Sequence, residues 1–340
     1  MKKRNFVIAL MAMLLVAGCG TSNQPAASGE PTDQPAEQEA ENSGNEAEPQ
    51  DGAEAKTYDI TVSFASFDNT FASFCMARME AYNEEHPELN ITYIDGANDS
   101  ATQINQIEQA VINGTEAVIA LVVDATQSQP IVTACNDAGI PFIAFNRVCE
   151  GCDTFVGADN ADAGRLVAER AIELLNGEGK IALVQGVMGQ ANTYERTNAI
   201  LETLEGSNIE VVLDGAADWK RDKALELVET WLQSGTEFDL VIALNDDAAL
   251  GAQQALAGAG KENDIPVLSI NGDPSGIEGV EKGTLDCTAF QAPFVQADKA
   301  LEYAVQYIDG TGTPPEADKV EYELITADNV ADYLQYKSVQ

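Results

Sequence analysis

Histidine occurs once in the 340 residues, and Lys and Arg number only 18 against 56 Asp and Glu, for a net charge of −38. This deficit of basic side chains argues strongly against a nucleic-acid partner, whose binding rests on neutralised phosphates. It argues equally against docking on anionic lipid heads through a basic patch. High negative charge does favour solubility. Cysteine is sparse too, six in all, too few for a disulfide scaffold. Cys149 and Cys152 form a lone CxxC, without the second pair that a structural zinc site normally needs. The single histidine, His86, stands before Pro87 at an expected helix end. A thioredoxin-type CxxC opens a helix, whereas this one lies in a loop between two strand-like runs. A local disulfide and two free thiols both remain open. No GxSxG elbow, HExxH or GxxxxGK[ST] loop occurs, so no catalytic residues, no metal and no cofactor are expected.

A long hydrophobic run is also missing. Phe6–Val16 is apolar for eleven residues, whereas a membrane-spanning helix needs about 20. Lys2, Lys3 and Arg4 precede the run and small residues follow it, which is the pattern of a secretory signal. LVAGC (15–19) resembles the lipobox of bacterial lipoproteins. That likeness implies cleavage after residue 18 and lipidation of Cys19, so that the protein sits outside the cytoplasm, held to the bacterial membrane by lipid alone. Residues 20–55 contain no Lys or Arg and nine acids. Such a stretch cannot bury enough apolar surface to fold, and its charge keeps it extended. Residues 19–56 are expected to be a tether. With the leader removed the mature chain carries −41, and the body beyond the tether −32.

About 285 residues remain, which suits two lobes better than one core. Short apolar runs alternate with amphipathic segments: Ile60–Ala65, Ile91–Ile94, Ala117–Val123, Pro141–Phe145 and Thr154–Val156, then Ile181–Val184, Glu210–Leu213, Leu240–Leu244, Val267–Ile270 and Thr288–Phe290. Between them lie helical spacings such as Leu225, Val228 and Leu232. Strands and helices alternating at this length predict parallel sheets with right-handed crossovers. The fold class is α/β, two similar doubly wound parallel-sheet lobes with a ligand cleft between them.

Ligands of such sheets bind beyond the carboxyl ends of the strands, where the strand order reverses. Those ends carry SFDNTF (66–71), Asn146-Arg147, GVMGQANTYER ending at Arg196, Asp218-Trp219, Asn245-Asp246-Asp247, Asn271-Gly272-Asp273 and Gln291. Amides and guanidinium groups give and accept hydrogen bonds in fixed planar geometry. Phe and Trp offer flat apolar faces. Together they suit a sugar ring, which has a rim of hydroxyls and two C–H faces. Singly, Asn and Asp after a strand are ordinary caps and turns; the position of the whole set carries the reading.

DNTF (68–71), IPFIAFNR (140–147), VGADNADAG (156–164), GKIALVQG (179–186), ERT (195–197), LNDDAALGAQQAL (244–256) and SINGDPSG (269–276) resemble the periplasmic sugar-binding proteins of the ribose/galactose type, which feed ABC importers. The likeness spans roughly 57–330. It implies a ligand site of Asn69, Phe71, Asn146, Arg147, Arg196, Trp219, Asn245, Asn271 and Gln291, with a monosaccharide or polyol as ligand, an ABC permease as partner and a monomeric protein. It also implies a three-segment hinge, with crossings near 160, 292 and 322. The N-lobe is then 57–160 plus 292–322 and the C-lobe 161–291 plus 323–340. Two positions depart from the ribose pattern: Asn146 and Asn271 stand where that type usually has Asp. Asp273, Asp68 or Asp218 could compensate, or the ligand could itself be weakly anionic. Asp159–Gly164 has Ala at its third position, so the calcium loop of the galactose type is not expected. Sugar-responsive repressors share the fold but carry a basic DNA-binding segment where this chain has a leader and an acidic tether. The alternatives kept open are a sensor presenting its ligand to a membrane receptor, and a binder of some other small polar solute.

Overall fold

The computed structural model describes residues 56–338. The leader 1–18, Cys19 and the acidic stretch to residue 55 lie outside the described residues, as do the last two. The first lobe opens with β1 (Tyr58–Phe64), β2 (Leu89–Asp95), β3 (Ala117–Ala120), β4 (Phe142–Phe145) and β5 (Thr154–Ala158), interleaved with α1 (Thr70–Glu85), α2 (Ser100–Ile112) and α3 (Gln129–Ala138). Helix α4 (Asn160–Leu174) leads into β6 (Glu178–Gln185), β7 (Asn208–Ala216), β8 (Leu240–Ala243), β9 (Val267–Asn271) and β10 (Cys287–Phe290). These alternate with α5 (Ala191–Leu204), α6 (Arg221–Ser234), α7 (Asp246–Gly258) and α8 (Pro274–Glu281). Helix α9 (Pro293–Asp309) and strands β11 (Ala317–Val320) and β12 (Glu323–Thr326) follow. Each of the ten apolar runs coincides with one of β1–β10.

The strands form two six-stranded sheets of matching order, β11-β5-β4-β3-β1-β2 and β12-β10-β9-β8-β6-β7. Pairing is parallel except between β10 and β12. Both faces of each sheet are buried, as helical crossovers require. In the first sheet Ile60, Val62, Phe64, Ile119 and Phe145 pack against α1 and α9. The alternate residues Val118, Ala120, Phe142 and Ala144 meet Ile107 of α2 and Ile131 of α3. In the second sheet Ile181, Leu183, Ile242 and Leu268 face α4 and α5, while Ala182, Val184, Val241 and Ala243 face α6, α7 and α8. The period of two along each strand thus fills two half-cores per lobe.

The strand order reverses at β1/β3 in one sheet and at β6/β8 in the other. The chain passes from the first sheet to the second after β5, back after β10, and over again between β11 and β12. Ala292, at the second passage, has φ 47°.

Candidate functional site

Each strand at a switch point delivers a polar residue that also starts the next helix. Asn69 caps α1, its side chain accepting from the Ala72 amide at 3.0 Å. Asn245 caps α7 in the same way, accepting from the Ala248 amide at 3.3 Å. The capping role and the place at the sheet end are therefore one geometry. These loops bring all nine residues expected from the sequence onto one cavity: Asn69, Phe71, Asn146, Arg147, Arg196, Trp219, Asn245, Asn271 and Gln291. The region in which the centre of a water molecule can sit is about 50 Å³, a volume suited to one small ring rather than a chain. Ser66, Asn98, Gln190 and Asn192 share the lining and were not singled out from the sequence. Gln190 and Asn192 stand in the GVMGQANTYER segment at the start of α5, whose sequence signal was its position after β6.

Two buried guanidinium groups organise the cavity. Arg196, 2 % exposed, donates from Nε to Asn160 Oδ1 (3.0 Å), from Nη1 to the Leu244 carbonyl (2.6 Å) and Asn271 Oδ1 (3.3 Å), and from Nη2 to Tyr322 Oη (3.1 Å). It ties the starts of α4 and α7 to the end of β9 and to the residue between β11 and β12. Gly164 of α4 lies where a Cβ would overlap the Arg196 carbonyl, so α4 and α5 pack closely enough for that reach. Arg147 donates from Nη1 to the carbonyls of Val122 (2.5 Å) and Val123 (2.8 Å), and from Nη2 to Gln190 Oε1 (2.9 Å). Its Nε–H has no protein acceptor. Burial, with the Arg196 charge added, pulls the Arg147 guanidinium down to about 10.

The apolar walls are Phe71 and Trp219. Phe71 stacks on Phe145 with centroids 6.5 Å apart. The Arg196 guanidinium carbon sits 5.9 Å from the centre of the Trp219 ring, and the Trp219 Nε1 donates to Gln190 Oε1 at 2.8 Å. Asp218 and Trp219 both have positive φ, 51° and 64°. That conformation is costly for a bulky side chain, and here it belongs to the turn that carries the indole to the cavity. Gln190 accepts from Arg147 of one lobe and Trp219 of the other, and Thr70 meets Asp247 across the same gap. The lobes are closed on each other.

Gln291 forms the back of the cavity at the second passage. It donates to Asn271 Oδ1 at 2.9 Å, and its Oε1 accepts from Asn146 Nδ2 and Tyr322 Oη, each at 3.2 Å. Among the described residues, no carboxylate lines the cavity. Of the three acids expected to compensate for the two asparagines, Asp218 pairs with Lys223 and Asp68 is absent from the lining. Asp273 lies behind Asn271 and accepts from its Nδ2 at 3.2 Å. Burial and the neighbouring Asp246 carboxylate push Asp273 well above the usual carboxylate range. Asp246, raised to about 6 by burial, accepts from Ser269 Oγ, Thr288 Oγ1 and the Asp273 amide at 2.6–2.7 Å. The Cys149 and Cys152 thiols are not joined.

Residues 60–312 match the periplasmic binding protein domain. The chain belongs to the periplasmic binding protein family. Members of this family are extracytoplasmic solute-binding proteins rather than enzymes, which agrees with a closed two-lobed cavity. A Rhizobium meliloti protein named for rhizopine binding is 31% identical over 284 residues, 81% of this chain and 92% of the relative. The ribose import binding protein of Bacillus subtilis is 27% identical over 91% of this chain and 94% of its own length. Among solved structures, an ABC transporter solute-binding protein of Bacillus halodurans with bound myo-inositol is 35% identical. It superposes with a TM-score of 0.78, covering 84% of this chain and all of the other.

Proposed function

We propose that this periplasmic binding protein captures a small sugar or polyol between its lobes and delivers it to an ABC-type importer, the nine cavity residues forming its ligand site. The carrying observation is the convergence of two sheet switch points on one closed cavity with an amide and guanidinium rim and aromatic walls. A planar donor–acceptor rim matches ring hydroxyls, and Phe71 and Trp219 match the C–H faces of a ring. The names of the relatives, which give ribose and rhizopine, and the myo-inositol in the Bacillus halodurans protein, support a ligand of this size and polarity. The lobes, 57–160 with 292–322 and 161–291 with 323–340, would open and close about the three passages near 160, 292 and 322.

Cys19 is proposed as the lipid anchor, with residues 19–56 as the tether that holds the lobes above the membrane. The support is the LVAGC sequence behind a basic and apolar leader. Replacing Cys19 with Ser in the full-length chain should release the protein from the membrane fraction; retention in the pellet would defeat the anchor. For the ligand, native mass spectrometry of retained solute and calorimetry with a monosaccharide and polyol panel test the reading. A peptide, a metal or a lipid as the tightest ligand would overturn it.

A further inference from the structure

The charge balance of the cavity narrows the ligand further, on the reading that this site holds a small polyol. Two guanidinium groups line it, and among the described residues no carboxylate does. The acids around the cavity are engaged elsewhere: Asp159 pairs with Lys319, and Glu195 accepts from Asn160 Nδ2. Asp273 lies behind Asn271 and is held toward its neutral form by burial and by the neighbouring Asp246. Asp124 is engaged by Thr126 and Gln127. Asp247 at the rim pairs with Arg221. Burying a charge without a counter-charge is strongly unfavourable.

Hydrogen bonding leads to the same conclusion. Of the five N–H donors on each guanidinium, Arg147 places three and Arg196 four on protein acceptors. Arg147, 8 % exposed, keeps its Nε–H without a protein acceptor. Asn192, which also lines the cavity, has a buried Oδ1 with no donor. The site therefore has charged donors to give and a neutral acceptor to fill. We infer that the ligand is a monosaccharide-sized polyol bearing one carboxylate, a sugar acid, whose carboxylate lies against Arg147 and Arg196 and whose hydroxyls meet the amides. Charge-assisted hydrogen bonds from guanidinium to carboxylate are among the strongest a protein makes. The three remaining donors suit a carboxylate better than a phosphate dianion. The body's charge of −32 does not oppose this inside the cavity, since surface charges are screened beyond about 8 Å at physiological salt.

The test is calorimetry on the mature protein with paired neutral and acidic ligands: ribose and ribonate, glucose with gluconate and glucuronate, galactose and galacturonate. One acid should bind at least about tenfold tighter than its neutral partner. Arg147→Gln should reduce that preference. Asn271→Asp, which puts a carboxylate beside Arg196, should shift it toward the neutral sugar even if Arg147→Gln folds poorly. Neutral members binding as tightly as acids, or a sugar phosphate binding tightest, would overturn the sugar-acid inference while leaving the polyol reading intact. Failure of every neutral and acidic member, with a peptide, metal or lipid retained instead, would overturn both.

Discussion

Gly186 lies against the face of the Trp219 indole: a Cβ at residue 186 would fall inside van der Waals contact with Cζ2, Cη2 and Cε2 of that ring. The glycine ends the run GKIALVQG directly after β6, so the switch point of the second sheet and the aromatic wall of the cavity are built on each other. Gly186→Ala should displace the indole and weaken ligand binding by roughly tenfold or more, while the unfolding midpoint falls only modestly, because Trp219 is partly buried and touches the lobe core only at its cavity edge. Calorimetry and thermal unfolding measured on the same preparation check both parts. Unchanged affinity would show that the indole is not a ligand surface.

Arg196 carries a second burden. Four of its five donors are spent on protein acceptors, among them the Leu244 carbonyl and Tyr322 Oη. Arg196→Ala strands these buried groups, and each orphaned partner costs about 1–3 kcal/mol. The variant should therefore lose roughly 3 kcal/mol of stability without ligand present, in addition to its loss of affinity. Urea unfolding of the ligand-free protein reads the first effect. A variant as stable as the native chain would mean that the guanidinium serves the ligand alone.

Gln190 gives a sharper probe of closure, because its one oxygen accepts from Arg147 of the first lobe and Trp219 of the second. Gln190→Ala removes that shared acceptor and leaves each lobe core intact. Affinity should fall about tenfold, and the loss should appear mostly as faster dissociation. Stopped-flow release kinetics would expose the alternative, an unchanged off-rate.

The architecture was legible because short apolar runs such as AVIA and LVIAL at that length read as buried strands, and most of the gaps between them leave room for a helix, the loop between β4 and β5 being the exception. Strands β11, ADKV, and β12, ELIT, were not legible. They are short edge strands with exposed acids and bases, and only their pairing with β5 and β10 makes them strands. The nine cavity residues could be read because each follows a strand and the resemblance supplied the motif. Gln190 and Asn192 were missed because an amide at a polar helix start carries no pattern of its own. The role of Tyr322 could not be read either: it depends on the third passage bringing residue 322 beside Arg196 and Gln291.

The five described cysteines should react slowly with thiol reagents in the folded protein. Cys75, Cys135, Cys149 and Cys287 are buried, and burial pushes each thiol up, Cys149 to about 11 and Cys135 to about 12. The thiolate is the reactive form, and little of it exists at neutral pH. Cys152 is partly exposed and its thiol is also raised by burial, so it should react first, with the others following only on denaturation. Absence of any free thiol at 149 and 152 after denaturation would indicate that they had oxidised to a disulfide.

Asp273 and Asp246 set a pH dependence with a definite sign. In the unfolded chain an aspartate loses its proton near pH 3.9. In the folded protein burial holds Asp273 well above its ordinary value, with the Asp246 charge adding to the rise, and burial holds Asp246 at about 6. Between those limits the folded state binds more protons than the unfolded one, so this pair lowers stability as pH rises. The penalty is absent below about pH 4, grows through pH 6, and stays at higher pH. Asp273→Asn removes the charge and one source of the repulsion. Its side-chain oxygen can still accept from Asn271 Nδ2, as Asp273 Oδ2 does now at 3.2 Å. The variant should therefore gain stability relative to the native protein progressively from pH 4 to pH 7, by about 1 kcal/mol or more at the upper end. Differential scanning calorimetry at half-unit steps compares the two chains directly, so that the many surface carboxylates cancel. A difference in midpoint that stays flat or shrinks as pH rises would show that the buried pair does not hold the extra proton.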